Sequence, residues 1–296
     1  MMTAIPFDTG IVTVSLDTEL GWARIDTGEF DNIADRLEEG RRAIERLLAL
    51  FERHDMPATW AVVGQLCRDD TGPGTPLTDV NPTADGARIP WDRDWWHARE
   101  AVERIVKSPV DHEIGSHSGN HLRFDACDVA SARRDLEAFF EWCDLVERSS
   151  VRSFVYPGNR IDHTDVLAET GFECYRGHPP LLGVEPTPTA FLPKRAESLV
   201  TVPTSVSYRH YGGRHALLRA FPDRLKTIGL RAGIEHAARR GRVFHVVLHP
   251  NDFTLADGKK LLNGLDRWLS SVATARDRGR IQTLTMGEVA SRARFE

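Results

Sequence analysis

Apolar residues recur along this chain in two rhythms. Short β-branched runs alternate with longer stretches in which every third or fourth residue is apolar. Residues 11–16, Ile-Val-Thr-Val-Ser-Leu, form a run suited to a buried strand. Over 33–54, Leu37, Ile44, Leu47, Leu48 and Phe51 make one stripe, which predicts an amphipathic helix ended before Pro57. A second strand is expected at 58–64. Helices at 98–107, 129–148 and 164–170 then alternate with strands at 113–116, 151–156 and 171–176. Later come a strand at 199–202, helices around 215–221 and 225–239, and the most apolar strand, 243–248. A helix at 260–278, a strand at 280–284 and a closing helix at 286–295 complete the chain. Alternating strand and helix is the pattern of an α/β fold with a parallel sheet.

Two stretches break the rhythm, at about 68–94 and 178–211. Both are rich in Gly and Pro and read as loop insertions in a single domain. Trp91, Trp95 and Trp96 close the first. They suit either a sugar-stacking wall or anchors that pack the loop down, with packing favoured for Trp95.

Composition narrows the function. The 296 residues are 41% hydrophobic, with net charge −5 and a pI near 6.2. No basic block with interleaved aromatics signals nucleic-acid binding. No apolar run approaches the roughly 18 residues of a membrane span. The first residues show no basic segment followed by an apolar one, so no secretory signal is read. Cys67, Cys127, Cys143 and Cys174 form no CxxC pair. They read as reduced thiols, and the chain is expected in the cytoplasm.

Polar chemistry gathers at the strand ends. The first strand runs into Asp17-Thr18-Glu19, whose two carboxylates share a side and repel unless a positive charge lies between them. After 113–116 come His117 and His121. Four residues apart, they would share one face of a helical turn and reach one metal ion. By itself that spacing is common, and a surface helix with two unrelated histidines is the favoured reading of it. The strand at 151–156 stops at Pro157-Gly158-Asn159-Arg160, an ordinary tight turn or a place where backbone N–H groups hold an oxyanion. His249 ends the most apolar strand, and His245, four residues earlier, reads as a core or supporting histidine.

In order and wording these segments resemble the NodB-like polysaccharide deacetylases, carbohydrate esterase family 4. Ser15-Leu16-Asp17-Thr18-Glu19 is similar to that family's first motif in its Asp-x-Asp/Glu form. Ala58-Thr59-Trp60-Ala61-Val62-Val63-Gly64 echoes a family strand, and His117-Ser118-Gly119-Asn120-His121 matches the His-Ser/Thr-x-x-His motif. Phe154-Val155-Tyr156-Pro157 matches the Phe-Arg-x-Pro segment, and His249 the late catalytic histidine. Two departures stand out. Thr18 takes the place of an adjacent second carboxylate. Val155 takes the place of the arginine that orients the base, leaving Arg152 or Arg160 as substitutes.

The resemblance implies a distorted (β/α) barrel of about seven parallel strands. It implies a divalent metal, most often zinc, on Glu19, His117 and His121, with Asp17 and Glu19 able to exchange roles. Asp17 is then the general base and His249 the acid toward the leaving amine. Tyr156, Gly158, Asn159 and Arg160 face the substrate or its oxyanion. The expected activity is removal of an N-acetyl group from an amino sugar, as a nucleotide-linked, lipid-linked or small glycoside substrate. A hydrolase of another C–N bond, such as a cyclic amide or allantoin-like compound, is the alternative. An inactive sugar-binding module is a distant third, because Asp17, His117 and His121 are all present.

Overall fold

The computed structural model describes residues 1–25, 28–68, 94–178, 189–209 and 223–295. Most of the 68–94 insertion with Trp91, the middle of the 178–211 insertion and the helix expected at 215–221 lie outside the described residues.

The strands are β1 (Met2–Thr3), β2 (Gly10–Thr18), β3 (Thr59–Val62), β4 (Glu113–Ser116), β5 (Ser153–Phe154), β6 (Cys174–Gly177), β7 (Lys194–Ala196), β8 (Leu199–Pro203), β9 (Val206–Ser207), β10 (Val243–Leu248) and β11 (Ile281–Thr283). They form one sheet in the order β1-β7-β8-β6-β5-β4-β3-β2-β10-β9, with β11 beside β2. From β8 through to β9 every pairing is parallel, and only β1 and β7 run against their neighbours.

The two ends of the parallel run are one piece of chain. β8 pairs with β6, and β9, three residues further on, pairs with β10. In between, the Thr204 N–H donates to the Gly177 carbonyl and the Ser205 N–H to the His245 carbonyl. Residues 199–207 thus serve both neighbours and close the sheet into a barrel. Counting them as one strand gives the seven-stranded ring the resemblance implies.

Strand alternation sorts the core. Val12, Val14 and Leu16 of β2 join the larger cluster between the barrel and its helices, with Leu47, Phe51 and Trp60. Ile11 joins a smaller cluster with Ala61, Val155, Cys174, Val202 and Val243, closed by Leu284, Met286 and Val289. Because side chains alternate, Thr13, Ser15 and Asp17 share Ile11's face and point into the barrel. The interior is therefore apolar at one end and polar at the other. The polar end is the end of the parallel strands where sites of such barrels form.

Several elements depart from the pattern. The helix expected at 33–54 is two, Ala34–Glu38 and Gly40–Arg53. They break where Gly40 is pressed against Leu20. The helix expected to reach 148 ends at Trp142, after which Asp144 pairs with Arg99 at 2.7 Å. Among its described residues, the 178–211 insertion holds three short strands, not one. Trp95 and Trp96 are buried, packing on Phe30 and Trp22, so packing, as expected for Trp95, is their place.

Candidate active site

The segment carrying His117 and His121 is not a helical turn. It is a loop leaving β4 with two residues in the left-handed region, Ser118 (φ 67°) and His121 (φ 56°). Neighbouring elements hold its shape. The Ser118 and Gly119 carbonyls accept from the N–H groups of Gly64 and Gln65. Asp135, buried in the helix Val129–Trp142, accepts from the N–H groups of Gly119 and Asn120 at 2.8 and 2.9 Å. Burial pushes the Asp135 carboxyl above its usual pKa, against these hydrogen bonds. Residue 119 must be glycine, because a Cβ there would sit 2.6 Å from the Asp135 carbonyl oxygen.

Both imidazoles converge on Glu19. Its Oε2 lies 3.2 Å from His117 Nε2 and 3.0 Å from His121 Nε2, and all three residues are buried. One ligand atom from each falls within 4.8 Å of the others. The opposite nitrogen of His117, Nδ1, is 2.7 Å from the Val155 carbonyl. A carbonyl only accepts, so Nδ1 carries the proton and the lone pair on Nε2 of a neutral His117 faces a carboxylate oxygen. Two acceptors in contact repel unless a proton or cation lies between them. An oxygen and two imidazole nitrogens are also the ligand types of a catalytic divalent site. The residues therefore fit the metal that the family pattern implies. Burial works against ionisation of Glu19, but the imidazoles of His117 and His121, which donate to it when protonated, outweigh it and hold the carboxyl well below its usual range.

Asp17 belongs to a second group. Arg176, at the end of β6, spans it in a bidentate ion pair, Nη1 to Oδ1 and Nη2 to Oδ2, the latter at 2.7 Å. His249 Nε2 lies 3.2 Å from Asp17 Oδ2. Burial raises the Asp17 carboxyl, but Arg176 and His249 together hold it well below the usual carboxylate range. Burial lowers His249 in turn, and Asp17 overrides it, raising the imidazole to about 9. At neutral pH the structure thus holds an ionised Asp17 against a protonated His249 whose side chain is 26% exposed.

Asp17, Glu19, His121, Gly158, Asn159 and His249 all line one cavity of about 300 Å³. Its remaining wall includes Ala23, Gly177, His178, Thr204, Ser207, Arg209 and Val247. Gly158 (φ 60°) and Asn159 (φ 55°) are both left-handed, and the turn swings Asn159 under Arg176, where its Oδ1 accepts at 2.8 Å from Nη2. Two expected residues are not brought to the cavity. Tyr156 is 1% exposed and packs among Phe124, Phe154 and Tyr175. Arg160 is exposed and lies near Asp125. Arg152, offered with Arg160 as a replacement for the missing arginine, lies before β5, beside Glu113 and Gly287 at the opposite end of the strands. The arginine that the structure brings to Asp17 is Arg176, which lies outside the motif because it sits one strand further along the sheet. Its signal was an arginine ending a strand otherwise read as buried, on the same rim as Asp17.

Residues 29–175 match the family model for polysaccharide deacetylase. That stretch is a polysaccharide deacetylase domain, and by that family the activity is a hydrolase's. The match includes His117 and His121 and excludes Asp17, Glu19, Arg176 and His249. Solved structures show the same fold along almost the whole chain. A Mycobacterium smegmatis protein named for this family aligns with TM-score 0.69 and 18% identity, covering 99% of this chain and 95% of that one. A Pseudomonas aeruginosa PAO1 protein, also named for the family, gives 0.64 and 14%, covering 95% and 89%. The allantoinase Puue gives 0.65 and 13%, again covering 95% and 89%. No curated protein matches the chain. Among the described residues, no helix is long and apolar enough to cross a membrane.

Proposed function

We propose that this deacetylase removes an N-acetyl group from an amino sugar, using a divalent metal held by Glu19, His117 and His121. The observation that carries the reading is the meeting of two groups on one cavity: the Glu19–His117–His121 cluster, and Asp17 with His249 against its Oδ2. Zinc is the ion proposed, since a carboxylate and two imidazoles are a common ligand set for catalytic zinc. Such an ion supplies Lewis acidity toward the amide carbonyl and a lowered pKa for water.

The chain's own residues do the rest. Asp17 takes the proton of the attacking water, and Arg176 fixes the direction of its lone pairs. His249, protonated at neutral pH, gives its proton to the departing amine, which would otherwise leave as an unstable anion. The Asn159 N–H is committed to the Tyr156 carbonyl, so the backbone donor proposed for the oxyanion is that of Gly158. One such donor contributes about 3 kcal/mol. The cavity of about 300 Å³ suits one sugar unit at the reacting amide and stands at the small end of ligand pockets.

Acetate release from a panel of N-acetylated nucleotide sugars and small glycosides tests the reading. Release is expected from at least one, abolished by chelator, restored by zinc and lost in Asp17→Asn. Hydrolysis of a cyclic amide without acetate release would move the chain to the second reading. Tight sugar binding with no hydrolysis of either class would make it a binding module.

A further inference from the structure

β10 carries one polar residue in an otherwise apolar run, Val-Phe-His-Val-Val-Leu, and that residue, His245, is fully buried. The reaction proposed above leaves it without a task. In the pairing of β10 with β2, His245 stands opposite Thr13, and Ser15 is the next inward residue along. His245 Nε2 reaches it diagonally, 2.8 Å from the hydroxyl. The same hydroxyl lies 3.3 Å from Arg176 Nη1.

The bookkeeping of Arg176 gives this contact its meaning. A guanidinium has five N–H donors in a rigid plane. Two go to Asp17, one from each terminal nitrogen. Two go to Asn159, from Nε at 3.3 Å and Nη2 at 2.8 Å. The fifth, on Nη1, goes to Ser15. All five are used, and the plane is fixed from three sides. Ser15 accepts from Arg176 with its oxygen, which leaves its own hydroxyl proton free to donate to His245 Nε2. His245 accepts it only as a neutral imidazole. Burial, with Arg176 nearby, lowers His245 to about 3 and keeps it neutral. Burying a serine and a histidine in an apolar strand pair is costly unless they are bonded. Here their bonds end on the residue that aims Asp17.

We propose that Ser15 and His245 are positioning residues that fix the plane of Arg176 and, through it, the carboxylate of Asp17. This rests on Asp17 acting as the base, as proposed above.

The test uses the zinc-loaded chain and compares Ser15→Ala, His245→Leu and His245→Gln. Glutamine keeps an acceptor near the place of Nε2, whereas leucine fills the space without one. Ser15→Ala and His245→Leu should each lower kcat about tenfold, the effect of one hydrogen bond to a charged group, with KM within about twofold. His245→Gln should recover most of the loss. In an Arg176→Met background, Ser15→Ala should have no further effect, because the group it serves is gone. Wild-type kcat in both Ser15→Ala and His245→Leu, or an undiminished Ser15→Ala loss without Arg176, would overturn the assignment. Arginine side-chain NMR separates this from failure of the proposed reaction. The Arg176 Nη1 protons should be protected from exchange in wild type and lose protection in Ser15→Ala, whether or not any amide is hydrolysed. Unchanged exchange in Ser15→Ala would sink the positioning role alone. An intact exchange pattern without hydrolysis would sink the reaction alone.

Discussion

Arg176 reaches across the barrel to hold both oxygens of Asp17. Their strands, β6 and β2, are separated in the sheet by β5, β4 and β3. The pair is buried, with the Arg176 side chain fully enclosed, so the guanidinium has no water to fall back on.

Removing the arginine strands the carboxylate. Arg176→Met should destabilise the fold by roughly 3–5 kcal/mol, the usual cost of leaving one partner of a buried pair. It should also lower kcat on the order of 100-fold, because the base loses its aim. Arg176→Lys should recover part of the stability but less of the rate, since an ammonium cannot grip both oxygens in one plane. Urea unfolding and acetate release measure the two effects; a methionine variant near wild type in both would refute the account.

Zinc affinity should separate the two carboxylates. In calorimetry on metal-free protein, Glu19→Gln and His117→Ala should each weaken zinc binding more than about 100-fold, beyond the 10–100-fold typical of supporting residues. Asp17→Asn should change it far less, because Arg176 and His249 occupy its oxygens. Zinc at 100 times Kd should stabilise wild type by about 2.7 kcal/mol. The reverse order, with Asp17→Asn the more damaging, would exchange the roles of the two acids.

The histidine loop depends on a residue that touches no substrate. Asp135→Ala removes the acceptor for the Gly119 and Asn120 N–H groups. A cost of about 1–3 kcal/mol is expected for those stranded donors, together with weaker zinc binding. Gly119→Ala forces the Asp135 carbonyl and the loop apart and should weaken zinc binding with Asp135 intact. Unaltered zinc titrations in both variants would show that the loop holds its shape without this bracing.

Acid should destabilise the chain partly through His112. Burial beside Phe51 and Trp60 lowers its pKa from 6.5 to about 4. Between those values the unfolded chain binds a proton that the folded chain refuses, so stability falls as pH drops from about 6.5 towards 4. The slope for one such group approaches 1.4 kcal/mol per pH unit. Above 6.5 the effect vanishes, since both states are neutral. His112→Asn keeps an acceptor for the Ala58 N–H, which now bonds Nδ1 at 3.2 Å, and should flatten this limb. Urea titrations at pH 7, 6 and 5 would show it, and equal slopes for both proteins would rule His112 out.

Much of the fold was legible because its signals are local. The run at 11–16, the stripe at 40–53 and the alternation of strands and helices follow from side-chain periodicity, and each structural strand end carries the polar residues the sequence placed there. The turn shape at 117–121 was not legible. It depends on Asp135 and Gly64, which reach it from other elements, and helical spacing was the only cue within the segment. Arg176 escaped for a similar reason. The family pattern ties the arginine to a place in a motif, whereas chemistry requires only that a guanidinium arrive at Asp17, and another strand of a ring can deliver it. Tyr156 was misplaced because Gly158 and Asn159, just beyond it in the chain, line the cavity while its own ring turns into the aromatic core.

The pairing of β2 with β10 joins the first long strand of the chain to its last long one. Contacts such as Ser15 to His245 span 230 residues, so nascent chain still short of residue 248 has no complete site. Loop closure over such distances is slow. The first appearance of activity during refolding would therefore time the sealing of the ring, whatever the helices had done earlier.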